Sequence, residues 1–178
     1  MKIIKNLGVA LSLTAAAMTT PLPTTAGSLD DATIVAIFDQ ANMADIATAR
    51  LGAKKGHSKE VRELAKMVAT DHMGVQRMGR DLASKLGVLG TPPAGDGSWM
   101  AQAEALAMLD RLEGPAFDAA YLKYEVGYHT AVIDAINTTL LPSIENAELK
   151  ALVLKVLPGF EHHLAITKKT ADKLGVAY

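Results

Sequence analysis

The chain has 178 residues, enough for one domain or one domain preceded by a targeting segment. Lys and Arg number 18 against 19 Asp and Glu, a formal charge of −1, which excludes the strong positive field a nucleic-acid partner requires. Hydrophobic residues make up 49 % but aromatics only 4 %, so the core is built from Ala, Leu, Val, Ile and Met, as helical bundles are; the absence of cysteine excludes disulfides, thiolate metal sites and a cysteine nucleophile.

In chain order, the first element is a targeting segment. Lys2 and Lys5 precede an uncharged apolar run at 7–18, the length of a signal-peptide h-region and too short to span a bilayer. Pro21 and Pro23 argue against a core helix here, and Thr24 and Ala26 are small residues suited to a peptidase. Residues 1–26 are therefore expected to be a signal peptide, which makes the protein periplasmic or secreted. The remaining 152 residues, 27–178, carry 16 basic and 19 acidic side chains, a net of −3, and contain no membrane-spanning run.

The mature chain reads as all-α. Asp30 and Asp31 open a helix over 31–55 that ends at Gly56. Ser58 can cap a second, which runs to Leu86 and stops at Gly87. Residues 87–97 hold four glycines and two prolines and form the main loop. A shorter helix over 98–112 precedes Gly114 and Pro115; a third long helix covers 116–140, and after Pro142 a last one covers 144–174. Pro158 lies inside it and is expected to kink or split it. No run alternates with period two. Four long helices with a short one in the crossover predict a four-helix bundle.

Each long helix places one ionisable side chain in its apolar stripe. The first gives Ile34, Phe38, Ala41, Asp45, Thr48 and Gly52, and the second Val61, Leu64, Val68, His72, Val75, Gly79, Leu82 and Leu86. The third gives Leu122, His129, Val132, Ile136 and Leu140, with Glu125 one turn before the histidine; the last gives Leu152, Val156, Phe160, His163, Ile166 and Leu174. A single histidine on such a face is ordinarily a hydrogen-bonded core residue. Four coincident polar slots are different, because each unpaired buried group costs several kcal/mol. His72, His129 and His163, with Asp45 or Glu125, either hydrogen-bond to one another or hold a metal.

Three blocks carry a resemblance. The segment Ala65–Leu86 contains "ATDHMGV", residues 114–129 read "GPAFDAAYLKYEVGYH", and residues 157–166 read "LPGFEHHLAI". In this order and spacing they resemble an exported bacterial family of ferritin-like helical bundles, the domain-of-unknown-function 4142 family. The resemblance runs from about residue 32 to 174 and carries Asp71, His72, Phe117, Asp118, Tyr121, His129, Pro158 and His163 onto motif positions. It departs at Asp45, where that family usually has Glu. It implies a ferritin-like fold and transfers no activity.

Other polar residues have plainer readings. Asp71 points about 100° away from His72 on the helix and reads as an interhelical hydrogen-bonder or a solvated side chain. Asp118 and Tyr121 read as partners for backbone donors or packing neighbours, and His57 and His162 as surface residues. Met67, Met73 and Met78 do not share one stripe and read as core filling rather than a copper ladder. No Glu-x-x-His occurs, which argues against a ferritin-type di-iron centre; no G-x-S-x-G, phosphate loop or H-E-x-x-H marks an enzyme. Two readings stay open. One is a divalent metal site (zinc, iron, nickel or copper) in an exported bundle. The other is a non-catalytic envelope protein with a metal-free His/Asp network and a protein partner that the sequence does not identify.

Overall fold

A computed structural model describes residues 29–178; the expected signal peptide, residues 1–26, lies outside them. The described residues are all-helical, with no strand. Helix α1 is Asp31–Lys55, α2 Lys59–Leu86, α3 Ser98–Asp110, α4 Gly114–Ala135, α5 the single turn Leu141–Ser143, and α6 Ala147–Lys173. Among the described residues no helix is long and apolar enough to cross a membrane.

Local chemistry accounts for the ends. Asp30 accepts from the Thr33 N–H at 2.7 Å, Ser58 from Val61 at 3.2 Å, and Asn146 from Glu148 and Leu149 at 2.9 and 3.0 Å. Gly87, at φ 66°, ends α2 as sequence predicts: its N–H donates to the Ser84 carbonyl and that of Val88 to the Ala83 carbonyl, so two otherwise orphaned acceptors are satisfied.

Three boundaries depart from the sequence reading. Helix α4 starts at Gly114, because Pro115 is tolerated in a first turn that needs no donor. The chain does not continue as α-helix to residue 140; Ile136–Leu140 form a π-helical segment in which the following Leu141 N–H donates to the Ile136 carbonyl. Widening the turn by one residue relieves the collision that the Pro142 ring would make with the carbonyl four residues earlier. The last helix starts at Ala147, three residues late, since Asn146 is the capping residue. It is continuous across Pro158 rather than split.

The four long helices divide their buried faces in the same way. One apolar cluster contains Ala49 of α1, Val61, Leu64 and Val68 of α2, Phe117, Tyr121 and Leu122 of α4, and Ala171 of α6. The other contains Ile34 and Phe38 of α1, Ile136 and Leu140 after α4, and Leu149, Val153, Val156 and Phe160 of α6. Apart from Asp118 near the start of α4, the buried polar residues fall between the two: Asn42, Asp45 and Thr48; His72; Glu125 and His129; His163 and Thr167. The core is thus apolar at both ends and polar at mid-height.

Close helix approach is set by Gly52. A Cβ there would lie 2.7 Å from the Tyr121 ring and 3.0 Å from the Ala65 Cβ, so no larger residue fits without moving α4 away from α1 and α2. Asp118 ties α4 to the turn between α1 and α2, its two carboxylate oxygens accepting from the backbone N–H groups of His57 (2.7 Å) and Ser58 (2.8 Å). This is the backbone-satisfying role its sequence position suggests. Because charge-assisted bonds contribute more than neutral ones, Asp118→Ala is expected to lower unfolding free energy by roughly 2–4 kcal/mol in urea titrations. Asp118→Asn, keeping one acceptor, should lose about half as much. An unchanged midpoint for Asp118→Ala would contradict this role.

Candidate metal centre

The five side chains singled out by their helix positions are all buried: Asp45 and His129 at 0 % exposure, His72 and Glu125 at 1 %, His163 at 4 %. They come from four helices and meet in the polar belt. Ligand-type atoms of His72, His129 and His163 lie within 4.8 Å of one another, and so do those of Asp45, Glu125 and His129. Of the two carboxylates, Asp45 reaches the imidazoles most closely. Its Oδ2 is 2.9 Å from His72 Nε2 and 3.3 Å from His129 Nε2, while His72 Nε2 is 3.2 Å from His163 Nδ1.

The outward side of each imidazole determines what its inward side presents. His72 Nδ1 is 3.0 Å from Asn42 Oδ1, and the Asn42 amide donates to the Phe38 carbonyl at 2.7 Å, which fixes the oxygen towards the histidine. His129 Nδ1 donates to the Glu125 backbone carbonyl at 3.0 Å. His163 Nε2 donates to Asp71 Oδ2 at 3.0 Å. All three outer partners are acceptors, so the outer nitrogens carry the protons. In the neutral rings, His72 Nε2, His129 Nε2 and His163 Nδ1 then present lone pairs to one shared point. Supporting acceptors of this kind orient histidines around metals.

Among the inward atoms, His72 Nε2 and His163 Nδ1 stand at hydrogen-bonding distance, 3.2 Å, and the others are close but unbonded. Both Asp45 oxygens, both Glu125 oxygens and His129 Nε2 lack a hydrogen-bond partner, as do the Tyr121 hydroxyl and Thr167 Oγ1. Asp45 Oδ2 therefore sits within 3.3 Å of two nitrogens without the alignment of a hydrogen bond. Ligands held at roughly 2.0–2.1 Å from one ion stand roughly 2.8–3.4 Å apart, from octahedral to tetrahedral geometry. The observed separations of 2.9, 3.2 and 3.3 Å fall in that range. Phe160 packs edge-on against His72, ring centroids 4.8 Å apart, and closes the apolar side.

Electrostatics separates the carboxylates. Burial pushes the Asp45 carboxyl up, but the adjacent His72 and His129 outweigh it and hold the group below its ordinary value. Burial, reinforced by Asp45, pushes Glu125 well above the usual carboxylate range, so without a cation it is a neutral acid. Burial lowers both His129 and His163 below the ordinary imidazole value. The arrangement is thus one carboxylate beside two imidazoles, His129 and His163, that burial disfavours charging, with a second carboxyl able to ionise when positive charge arrives.

Stripe counting missed Asn42 and Thr167. On α1 the buried position is Asn42 and not Ala41, and on α6 Val153 and Thr167 are buried where Leu152 and Ile166 are only partly so. Asn42 lies three residues before Asp45 and Thr167 four after His163, so a search for further polar residues on the same face would have found both. Asp71 does bridge helices. His57 and His162 are exposed, as expected, and Met67 and Met78 pack at the margins of the two apolar clusters while Met73 is exposed.

A family model described as "Domain of unknown function (DUF4142)" matches residues 16–170, most of the chain. No curated protein and no solved structure matches it.

Proposed function

The chain belongs to the DUF4142 family, and from the geometry we propose that it is a metal-holding protein whose single divalent cation is bound by His72, His129, His163 and Asp45. One observation carries this reading. Three imidazoles have their outer nitrogens hydrogen-bonded to acceptors, so that in the neutral rings the inner lone pairs converge beside the Asp45 carboxylate. Such a group of acceptors repels itself in a dry core unless a cation fills it. One divalent ion together with ionised Asp45 and Glu125 makes the centre neutral, which gives Glu125 its place beside the ion. Imidazole-rich ligation suits zinc, iron, nickel or copper(II).

Four protein ligands complete a tetrahedral shell and leave no open position, which favours holding an ion over turnover. In this reading the fold is a ferritin-like four-helix bundle bent at Pro158, and residues 1–26 are a signal peptide that sends the bundle to the periplasm or outside the cell. A second reading is supported by the 2.9 Å approach of His72 to Asp45: a metal-free network in which a His72 imidazolium pairs with that carboxylate.

The test is elemental analysis of untagged protein from the periplasmic fraction. The expected result is one metal equivalent per chain, absent from His129→Ala. Saturating the stripped protein to about 100 times Kd should add roughly 2.7 kcal/mol of stability and raise Tm by roughly 5–10 °C. A metal-free protein whose Tm ignores zinc, iron, nickel and copper would leave the second reading standing.

A further inference from the structure

We propose that the Asp71 carboxylate, which accepts from the outward nitrogen of His163, is an outer docking site through which a divalent cation enters and leaves the buried centre. This rests on the metal-holding reading above. An enclosed site needs a passage, and the supporting partners show where it lies. Asn42, behind His72, is 0 % exposed, and Glu125, whose carbonyl backs His129, is 1 % exposed. Asp71, behind His163, has a side chain 52 % exposed. Among the hydrogen-bonded partners of the three imidazoles, it alone connects ligand to solvent. The two cavities of about 430 and 510 Å³ that flank Trp99 are lined by other residues and do not include the four ligands.

The chemistry suits a relay. Asp71 Oδ2 is an anionic oxygen at the surface, a first ligand for a hydrated cation. When the ion binds there it takes the carboxylate oxygen that accepts the His163 Nε2–H at 3.0 Å, the proton stays on the ring, and the ring loses its outer hydrogen bond. Rotation of that ring uncovers His72 Nε2, which His163 Nδ1 covers at 3.2 Å in the closed arrangement. Once the ion has settled among the inner nitrogens, His163 turns back and its Nε2–H bonds Asp71 again, closing the centre. The preceding turn of α6 is weakened for such movement, since Pro158 donates no helix hydrogen bond and Gly159 has no side chain.

Asp71→Asn keeps an acceptor for His163 but removes the anionic first ligand, and its exposed position leaves the core intact. Stripped wild type, Asp71→Asn and Asp81→Asn are mixed with zinc or cobalt in a stopped-flow instrument, and the loaded proteins are then challenged with EDTA. Asp81 is exposed on the same helix and controls for net charge. All three should bind one equivalent with similar melting curves, while Asp71→Asn loads and releases about tenfold more slowly or worse, and Asp81→Asn matches wild type. Wild-type rates in Asp71→Asn with stoichiometry intact would overturn the docking site and leave the metal centre untouched. Loss of the bound ion at equilibrium in Asp71→Asn would also overturn it, since Asp71 would then act on holding and not on passage. A wild type that binds no ion removes the centre itself, and the docking site with it.

Discussion

Asp45→Asn is expected to abolish the stabilisation that metal confers while costing the metal-free protein little. Asparagine is nearly isosteric with aspartate, so the change tests charge and not packing. In the metal-free core Asp45 is wholly buried and neither of its oxygens has an aligned donor. His72 and His129 favour a charge there, so losing it costs the stripped protein some stability, but with no aligned hydrogen bond to break the cost stays small. Around a cation the same carboxylate is a ligand, and its loss should weaken binding by roughly 100-fold or more, about 2.7 kcal/mol. A metal-free network predicts a large loss for the stripped protein. There Asp45 is the counter-ion of a His72 imidazolium, and taking one partner from a buried pair costs roughly 3–5 kcal/mol. Paired urea titrations of stripped and loaded Asp45→Asn separate the two; a large loss in the stripped variant would sink the metal reading.

Acid and alkali should both destabilise the metal-free protein, for reasons of opposite sign. Burial lowers His129 and His163 from the ordinary 6.5, so the folded chain keeps them neutral where the unfolded chain takes up protons. Their contribution is complete above about pH 6.5 and is lost as pH falls below it. Glu125 is raised from 4.5, so the unfolded chain releases its proton first and its contribution erodes as pH rises above 4.5 until the folded carboxyl itself ionises. Between about pH 5 and 6 two imidazoles oppose one carboxyl, for a net slope of up to about 1.4 kcal/mol per pH unit, rising with pH. Above 6.5 only the Glu125 slope remains, and stability declines. Asp45, held below 3.8, adds its loss only in stronger acid. The metal-free curve should therefore peak near pH 6.5. In Glu125→Gln the alkaline limb should vanish. In loaded protein it should vanish too, because the ion stabilises the Glu125 carboxylate. A stripped protein whose stability is flat from pH 5 to 8 would contradict these assignments.

Much of this centre was legible before any coordinates. Capping chemistry at Asp30, Ser58 and Gly87 located α1 and α2, because those signals act within four residues of the helix end. His72, His129, His163 and Asp45 stood out because an ionisable side chain in an apolar stripe conflicts with its surroundings. Residues set by neighbouring elements were less legible. Period 3.6 does not decide between positions three and four residues away, and so Asn42 was passed over for Ala41, and Val153 and Thr167 for Leu152 and Ile166. The π segment before Pro142 is a hydrogen-bond register choice that side-chain patterning does not record. Asp71 could be read as a bridge between helices, but its bond to His163 depends on how α6 packs on α2.

The most direct measurement is anomalous diffraction from crystals of loaded protein, recorded on both sides of the bound metal's absorption edge. The account predicts one strong peak in the polar belt, about 2 Å from His72 Nε2, His129 Nε2, His163 Nδ1 and an Asp45 oxygen, with Asp71 still bonded to the other nitrogen of His163. It is contradicted if the belt carries no peak under saturating metal and His72 Nε2 instead donates an aligned hydrogen bond to Asp45.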